Sequence, residues 1–218
     1  QGAIVLECDS MLTSVDPQNM SAHPRLSNFS LVGYGAQLLM RQADYNDPTR
    51  YNKSEDRMGI TLNDVRDVSI VGLTVAQTGG DGIIVTGYSP GSANVYLADL
   101  VLDHNYRNAL SVISVENMTV ERVVLSNTGA QYGTRPMDGV DFEPDHDYQV
   151  IANVTMRDVV IENNLAIGIS VCLGHFNAST KPVGILFDNV TVRNNSLGLR
   201  HIAGGNASGA GGVGPAVG

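Results

Sequence analysis

Acidic residues are concentrated in the segment PMDGVDFEPDH, residues 136–146. A pair of carboxyl groups can serve as acid and base, or as acid and nucleophile, in glycoside hydrolysis. If Val140 and Phe142 point into an apolar interior, Asp141 and Glu143 both point outward, and the rise of a strand places their Cβ atoms about 6.5–7 Å apart. We therefore predict that Asp141, Glu143 and His146 are the catalytic residues.

Basic, aromatic and acidic side chains on adjacent segments complete a predicted substrate site. A lyase or epimerase that acts on a polyuronate needs a base at the sugar C5 atom and cations that offset the sugar carboxylate. The residues predicted to bind such a substrate are Asp138, Arg135, Tyr132, His175, Lys181 and Arg200. The predicted partner is therefore a polysaccharide or glycan. His104 is interpreted as a turn residue and His201 as an inward-facing structural histidine.

Two other interpretations of the same acids stay open. Hard cations prefer oxygen ligands, so a cluster of carboxylates could bind Ca²⁺; the residues concerned are Asp138, Asp141, Glu143, Asp145 and Asp147. Alternatively, Asp138 caps a corner of the fold, Asp145 and Asp147 are solvated loop residues, and Arg200 forms a simple ion pair. No cofactor is predicted, with Ca²⁺ as the alternative.

The elements that would position these residues form an internal repeat. One pattern, in which apolar residues occupy positions 1, 3, 6 and 8, begins at Val68, Val95, Met118, Val154 and Ile185. A second pattern follows each copy, and its successive copies begin at Asp81, Asn108, Asp138, Ile167 and Leu197, which are 27, 30, 29 and 30 residues apart. Alternating apolar residues predict short strands with one face buried, and Asn and Gly between the strands predict tight corners. The constant period predicts a β-solenoid.

This repeat resembles that of the right-handed parallel β-helix proteins of the pectin-lyase-like superfamily. The resemblance covers residues 4–202 and implies an all-β fold of about six or seven coils of roughly 27–30 residues. It also implies a carbohydrate-active or extracellular repeat protein, although fold alone does not determine function. The predicted domains are a β-helix over residues 1–202 and a Gly/Ala-rich tail or linker over residues 203–218.

Five irregular segments interrupt the coils, and loops on a rigid scaffold are where binding and catalysis concentrate. We predict that four of the five leave from the same column of strands and stack as a wall beside it. The segments are 41–59, 86–93, 129–137, 143–149 and 172–184.

Composition excludes several classes of partner. A net charge of −9 argues against nucleic acid or an anionic membrane, because phosphate binding depends on an excess of Lys and Arg. No apolar run reaches the roughly 18 residues that a spanning helix needs.

The chain begins at Gln1 without a leader, which predicts a processed or excised piece of a longer protein. Cys8 and Cys172 are predicted to be too far apart to pair.

Asn-X-Ser/Thr sequons predict a secreted glycoprotein. They begin at Asn28, Asn52, Asn117, Asn153, Asn177, Asn189, Asn194 and Asn206. Four of them also lie where the repeat itself favours Asn, namely Asn28, Asn117, Asn153 and Asn189, so a structural role is the alternative there.

Two functions remain after this reading of the sequence. The first is a secreted polysaccharide-active protein, either a glycoside hydrolase or a polysaccharide lyase or epimerase, that uses an outward-facing carboxylate cluster. The alternative is a non-catalytic extracellular structural or adhesive module that associates with itself or other proteins through its flat faces.

Overall fold

A computed structural model describes residues 3–5, 12–13, 26–88, 91–177 and 180–203. This part of the chain forms strands and a single short helix, α1 (Gln42–Tyr45). The strands are β1 (Ala3–Val5), β2 (Leu12–Thr13), β3 (Ser27–Leu39), β4 (Asp56–Arg57), β5 (Ile60–Asn63), β6 (Arg66–Ala76), β7 (Gly79–Gly80), β8 (Ile83–Thr86), β9 (Ser92–Ala98), β10 (Val101–Asp103), β11 (Leu110–Val112), β12 (Val115–Glu121), β13 (Val124–Ser126), β14 (Val140–Phe142), β15 (Ile151–Arg157), β16 (Val160–Glu162), β17 (Ile167–Cys172), β18 (Ile185–Asp188), β19 (Thr191–Arg193) and β20 (Leu197–Ile202).

The strands stack in three parallel columns, and each turn of the chain adds one strand to each column. Column 1 holds β9, β12, β15 and β18, column 2 holds β10, β13, β16 and β19, and the long strands β3 and β6 run through both. Column 3 is a seven-stranded sheet in the order β2-β5-β8-β11-β14-β17-β20. Every pair in these columns is parallel, while β4 and β7 form a separate antiparallel pair. This arrangement is a parallel β-helix, and its seven rungs in column 3 confirm the fold and the number of coils predicted from the repeat.

Residues in the left-handed backbone conformation make the corners. Between columns 2 and 3, successive coils place His104, Asn127, Asn163 and Asn194 at φ 51°, 53°, 58° and 56°. Asn tolerates this conformation because its short side chain can hydrogen-bond locally. His104 occupies the same corner position, as expected for the turn residue predicted there.

An asparagine ladder joins the coils where the strands of column 1 begin. The Asn117 amide donates to Asn94 Oδ1 at 3.1 Å, and the Asn153 amide donates to Asn117 Oδ1 at 2.8 Å. All three residues have positive φ. The ladder therefore gives Asn117 and Asn153 a structural role, whether or not they also carry glycans.

The apolar interior is one continuous cluster of Val, Ile, Leu, Met and Phe side chains from all three columns. Val140 and Phe142 are fully buried in it, as predicted. His201 pairs in register with the inward-facing Val171, which agrees with its predicted orientation, but it is exposed because it lies in the last described coil.

The loops form two walls rather than the single wall that was predicted. Residues 87–88, 91, 143–150, 173–177 and 180–184 follow strands of column 3, whereas residues 40–59 and 127–139 precede such strands. We refer to these sets as the downstream and upstream loops. The prediction that four of the five loops leave from one column is wrong, because two of the five segments, 41–59 and 129–137, lie on the side where the chain enters column 3.

Two further predictions concern cysteines and membranes. Cys172 is a free, buried cysteine, and Cys8 lies outside the described residues. In the part of the chain that the structure describes, no helix has the length and hydropathy needed to cross a bilayer. The predicted tail lies almost entirely outside the described residues.

Candidate functional site

The outer face of column 3 carries side chains in three rows along the helix axis, and most of them are polar. The middle row consists of residues paired in register: Ile84, Ser111, Asp141, Ser170 and Arg200. Asp138 lies in the row on the upstream side, and Glu143 lies on the downstream side. We use the name carboxylate cluster for Asp138, Asp141 and Glu143.

Asp138 belongs to a capping ladder that links successive coils. Asp81 Oδ1 accepts the Asn108 backbone N–H at 2.9 Å, and Asn108 Oδ1 accepts that of Asp138 at 2.8 Å. Asp138 Oδ1 in turn accepts the Ile167 backbone N–H at 2.9 Å. This is the corner-capping role that was an alternative to substrate binding, and it occupies one of the two carboxylate oxygens.

Asp141 lies on the outer face of its strand, as predicted, but its side chain is buried rather than exposed to solvent. Its exposed fraction is 1%, and its row neighbours Ser111 and Ser170 are equally buried. Adjacent strands lie only about 4.7–4.9 Å apart, so long side chains from neighbouring coils can cover a short one. Arg107 and Arg200 both reach this face of the sheet. Of the cluster, Glu143 is the member with partial exposure.

The electrostatics of the cluster favour the neutral form of Asp141. Burial is the main cause that raises its pKa to about 8, and the negative charges of Glu143 and Asp138 add to it. The approach of the Glu143 side chain raises the pKa of Asp141 further, while that of Ser170 lowers it. Burial also raises the pKa of Asp138, against the opposing effects of the Ile167 backbone N–H and Arg200.

One oxygen of the Asp141 carboxyl group is left without a partner. Asp141 Oδ1 is buried and has no hydrogen-bond partner among the described residues. Glycosidases separate their two carboxyl groups by about 5–5.5 Å when they retain configuration and by about 6.5–9.5 Å when they invert it. The Cβ separation of Asp141 and Glu143 that the strand rise predicts lies within the longer range.

Two arginines provide positive charge beside the acids. Arg200 Nη2 donates to Ser170 Oγ at 2.9 Å and lies 3.8 Å from Asp138 Oδ2. Arg200 Nε is buried and lacks a hydrogen-bond partner in the described part of the chain. Arg200 therefore forms an ion pair with Asp138 and not with Asp141, and the distance in this pair is long. One N–H group of its guanidinium has no acceptor among the described residues.

Arg107 is the residue that sequence reasoning missed. Its Nη1 lies 3.0 Å from Oδ2 of the fully buried Asp81. Burial lowers the pKa of Arg107, but the charge and hydrogen bond of Asp81 outweigh this and leave it raised, so the guanidinium stays charged. A signal was present, because Arg107 directly precedes Asn108 of the capping ladder.

No hydrogen bond or ion pair joins Lys181, His146 or His175 to the carboxylate cluster in the described part of the chain. Lys181 Nζ bonds Glu116 Oε2 at 3.0 Å, on column 1, so the predicted role of Lys181 beside the acids is not supported by its position. His146 stacks on Tyr148 with ring centroids 5.0 Å apart, and both are exposed on a downstream loop. His175 is exposed on the next downstream loop.

The upstream loop brings two other predicted residues near Arg107. The carbonyl of Arg135 accepts a hydrogen bond from Arg107 Nε at 2.9 Å, and the carbonyl of Tyr132 accepts one from the buried Tyr106 hydroxyl at 2.7 Å. Both contacts use the backbone, and the side chains of Tyr132 and Arg135 remain exposed.

The alternative of a Ca²⁺ site has no matching geometry. Within the described ranges, no three His, Cys, Asp or Glu side chains are placed to hold a metal ion. Asp147 Oδ2 instead accepts the Asn177 amide at 3.0 Å, and Asp145 is exposed.

The sequons differ in their surroundings. Asn52, Asn194 and Asn28 are exposed, and the amide of Asn189 donates to Asp158. Asn177 is half-buried, and Asn206 lies outside the described residues. Glycosylation stays a prediction.

Comparison with known proteins finds one distant structural likeness. No family model matches the chain, and no curated protein matches it. A tailspike protein from an Acinetobacter baumannii bacteriophage, a capsular polysaccharide depolymerase, is similar with a TM-score of 0.45 and 14% sequence identity. The match covers 82% of this chain and 37% of that chain. The assignment of the fold therefore depends on the strand pairing itself.

Proposed function

We propose that the protein acts on a polysaccharide by acid–base chemistry at the carboxylate cluster. The observation that carries the proposal is the enclosed carboxyl group of Asp141, which is 1% exposed and lies beside the partly exposed Glu143, and whose pKa is raised by burial and by the charge of Glu143. Perturbed titratable groups of this kind concentrate at functional sites. Glu143 is the partly exposed member and contacts the substrate, while Asp141 holds the proton behind it.

The loops beside column 3 supply the surfaces for a long polymer. Tyr132 on an upstream loop is 48% exposed, and Tyr148 on a downstream loop is 43% exposed. Tyrosine presents an apolar ring face and a polar hydroxyl, a combination that suits sugar rings. A chain of sugars would lie across the outer face of column 3 between the two walls.

The exposure of the acids favours a lyase or epimerase over a hydrolase, because Asp138 and Asp141 are enclosed and leave Glu143 as the one carboxyl group of the cluster that a substrate can reach. In a lyase reaction on a uronate, Glu143 takes the C5 proton, the C4–O bond breaks and a C4=C5 double bond forms. The departing oxygen takes a proton from a water molecule, and Glu143 returns its own proton to the hydroxide that is left. Arg200, whose side chain is 37% exposed, would offset the charge of the uronate carboxylate. Preorganised charge of this sort stabilises the enolate-like transition state.

Turnover of a panel of uronate-containing and neutral polysaccharides tests the proposal. An unsaturated product that absorbs in the ultraviolet identifies a lyase, and new reducing ends without absorbance identify a hydrolase. We expect Glu143→Gln to lower kcat by about 100-fold or more, which is the usual contribution of a general base. Asp145→Asn, which changes an exposed acid on the same loop, is the matched control and should leave kcat unchanged. Equal turnover by Glu143→Gln and the parent protein would reject the proposal.

A non-catalytic extracellular module is the second candidate. Two observations favour it: Asp141 is enclosed, and the last described coil exposes apolar side chains, with Leu199 54% exposed. This candidate predicts no product from any polysaccharide of the panel together with self-association of the chain. Secretion, which both candidates require, is an expectation from the sequons.

A further inference from the structure

A groove of about 190 Å³ lies on the outer surface at the corner between columns 1 and 2. Its floor is the backbone around Gly72, and its sides include Gln37, Thr74, Asp99 and Val101. None of these residues belongs to the carboxylate cluster on column 3. The volume is below the roughly 300–1,000 Å³ of pockets for drug-sized ligands, so there is room for one small ring.

An irregularity in β3 builds this groove. Val32 pairs with Val71 and Ala36 pairs with Leu73, so residues 33–35 all stand opposite Gly72. The bulge places the Tyr34 ring over Gly72, where a Cβ atom would lie 2.5 Å from a ring carbon. Gly72 also has φ +73°, so glycine is required there for both reasons. Bulges are over-represented beside functional sites because they redirect side chains.

Tyr34 is an exposed aromatic side chain that is nonetheless held in place. It is 67% exposed, and its hydroxyl donates to Asp99 Oδ2 at 2.7 Å. Ordering a side chain before binding reduces the entropy that a ligand must overcome. Tyr34 therefore provides a preformed ring beside Gly72, which lines the groove.

Asp99 is an ionised acceptor with spare capacity. Hydrogen bonds from Arg122, and then from Tyr34, hold its pKa below the usual value. Arg122 Nε donates to Asp99 Oδ1 at 2.7 Å, and Oδ2 accepts from Tyr34 and from Arg122 Nη2. Because each carboxylate oxygen can accept about two hydrogen bonds, Oδ1 can accept another from a ligand hydroxyl.

The remaining side chains combine polar and apolar character. No side-chain hydrogen bond of Gln37 or Thr74 is found in the described part of the chain, and both line the groove. Val101 is 37% exposed and forms an apolar side. Hydroxyl groups that need donors and acceptors, together with an apolar C–H face, are the features of a sugar ring.

From this groove we infer a second carbohydrate-binding site, which takes a single neutral pyranose unit of a glycan. An anionic sugar is disfavoured, because Asp99 would repel its charge. The inference does not rest on the proposed reaction at column 3, since the two sites share no residue. Its role is to hold a neutral branch or neighbouring unit of a polymer.

Saturation-transfer NMR with the methyl pyranosides of glucose, galactose, mannose and N-acetylglucosamine, each at millimolar concentration, tests the inference. We expect at least one of them to bind. In protein-observed amide NMR spectra, the same sugar should shift the signals of Gly72 and Thr74. Val101→Gln places a longer side chain in the groove and should weaken binding at least tenfold. Val124→Gln makes the same change one coil further along, since Val101 pairs in register with Val124, and should change the affinity less than twofold.

Two further variants separate this site from the one on column 3. Tyr34→Phe removes the hydrogen bond to Asp99 and should weaken binding severalfold, while the circular dichroism spectrum stays that of the parent. Asp141→Asn should leave pyranoside binding unchanged whatever it does to turnover. Failure of all four sugars to bind, or binding that survives Val101→Gln, would overturn the inference without affecting the proposed reaction.

Discussion

Asp141 is a carboxyl group that binds a proton in the folded state and loses it on unfolding. The pKa of an unfolded Asp is about 3.9, whereas burial raises that of Asp141 to about 8. At pH values between these two pKa values, the folded state binds more protons than the unfolded state. The stability that the bound proton contributes is therefore complete below about pH 4. It is lost as the pH rises towards 8, by up to about 1.4 kcal/mol per pH unit.

Asp141→Asn tests this dependence at the level of one residue. The amide keeps the shape and a hydrogen-bond donor but has no charge to bury, so we expect the variant to be the more stable form at pH 8.5, by about 1 kcal/mol or more. Its advantage should shrink towards pH 5. Urea denaturation at both pH values measures the difference, with Asp145→Asn as the exposed control. An Asp141→Asn variant that is less stable at pH 8.5 than at pH 5 by as much as the parent would contradict the assignment.

The contents of the site were only partly predictable from the sequence. The alternation of side chains placed Asp141 on the outer face and Val140 and Phe142 inside, because alternation is a local property of any strand. The burial of Asp141 between Ser111 and Ser170 depends on the register of neighbouring coils, which brings together residues that are distant in sequence. The ion pair of Lys181 could not be predicted for the same reason, since its partner Glu116 lies on a different column.

The asparagine ladder at the start of column 1 gives a prediction at the scale of elements. Asn117 accepts one hydrogen bond, donates another and holds φ at 62°. Replacing it with Ala removes both bonds and strains the backbone, so we expect Asn117→Ala to lose about 1–3 kcal/mol of stability.

Thr119→Val is the matched control for the ladder, because it removes the same sequon but leaves the amides in place. We expect this variant to change the free energy of unfolding by less than about 0.5 kcal/mol. Thermal or urea unfolding of the unglycosylated proteins separates the two roles. Similar losses in both variants would mean that the ladder contributes nothing of its own.

The strands and corners could be predicted because each coil repeats the same local pattern, with Asn or Asp in the left-handed conformation at positions such as Asp158 and Asn163. The side of column 3 on which each loop lies could not be predicted from the sequence. Sequence gives the length of an insertion, but its placement before or after column 3 depends on which residues pair. The short helix α1 was missed as well, since a single turn has no periodicity to detect.

At the scale of the whole molecule, the last described coil differs from those before it. Leu197 and Leu199 pair with the buried Ile167 and Ile169, but they are 49% and 54% exposed because no described strand covers them. The backbone of β20 likewise pairs on one side, to β17, among the described strands. Such an edge is a template for pairing with another strand.

We therefore expect the chain to self-associate through this coil as its concentration rises. Replacing Leu197 and Leu199 together with Lys should suppress the association, because charge on an edge strand opposes pairing. Leu165→Lys is the control, since Leu165 is 57% exposed but lies between columns rather than at the open coil. Sedimentation velocity over a hundredfold range of concentration gives the answer. A parent chain that stays monomeric throughout, or equal suppression by Leu165→Lys, would show that the open coil does not drive association, because only contact through β20 requires Leu197 and Leu199 to remain apolar.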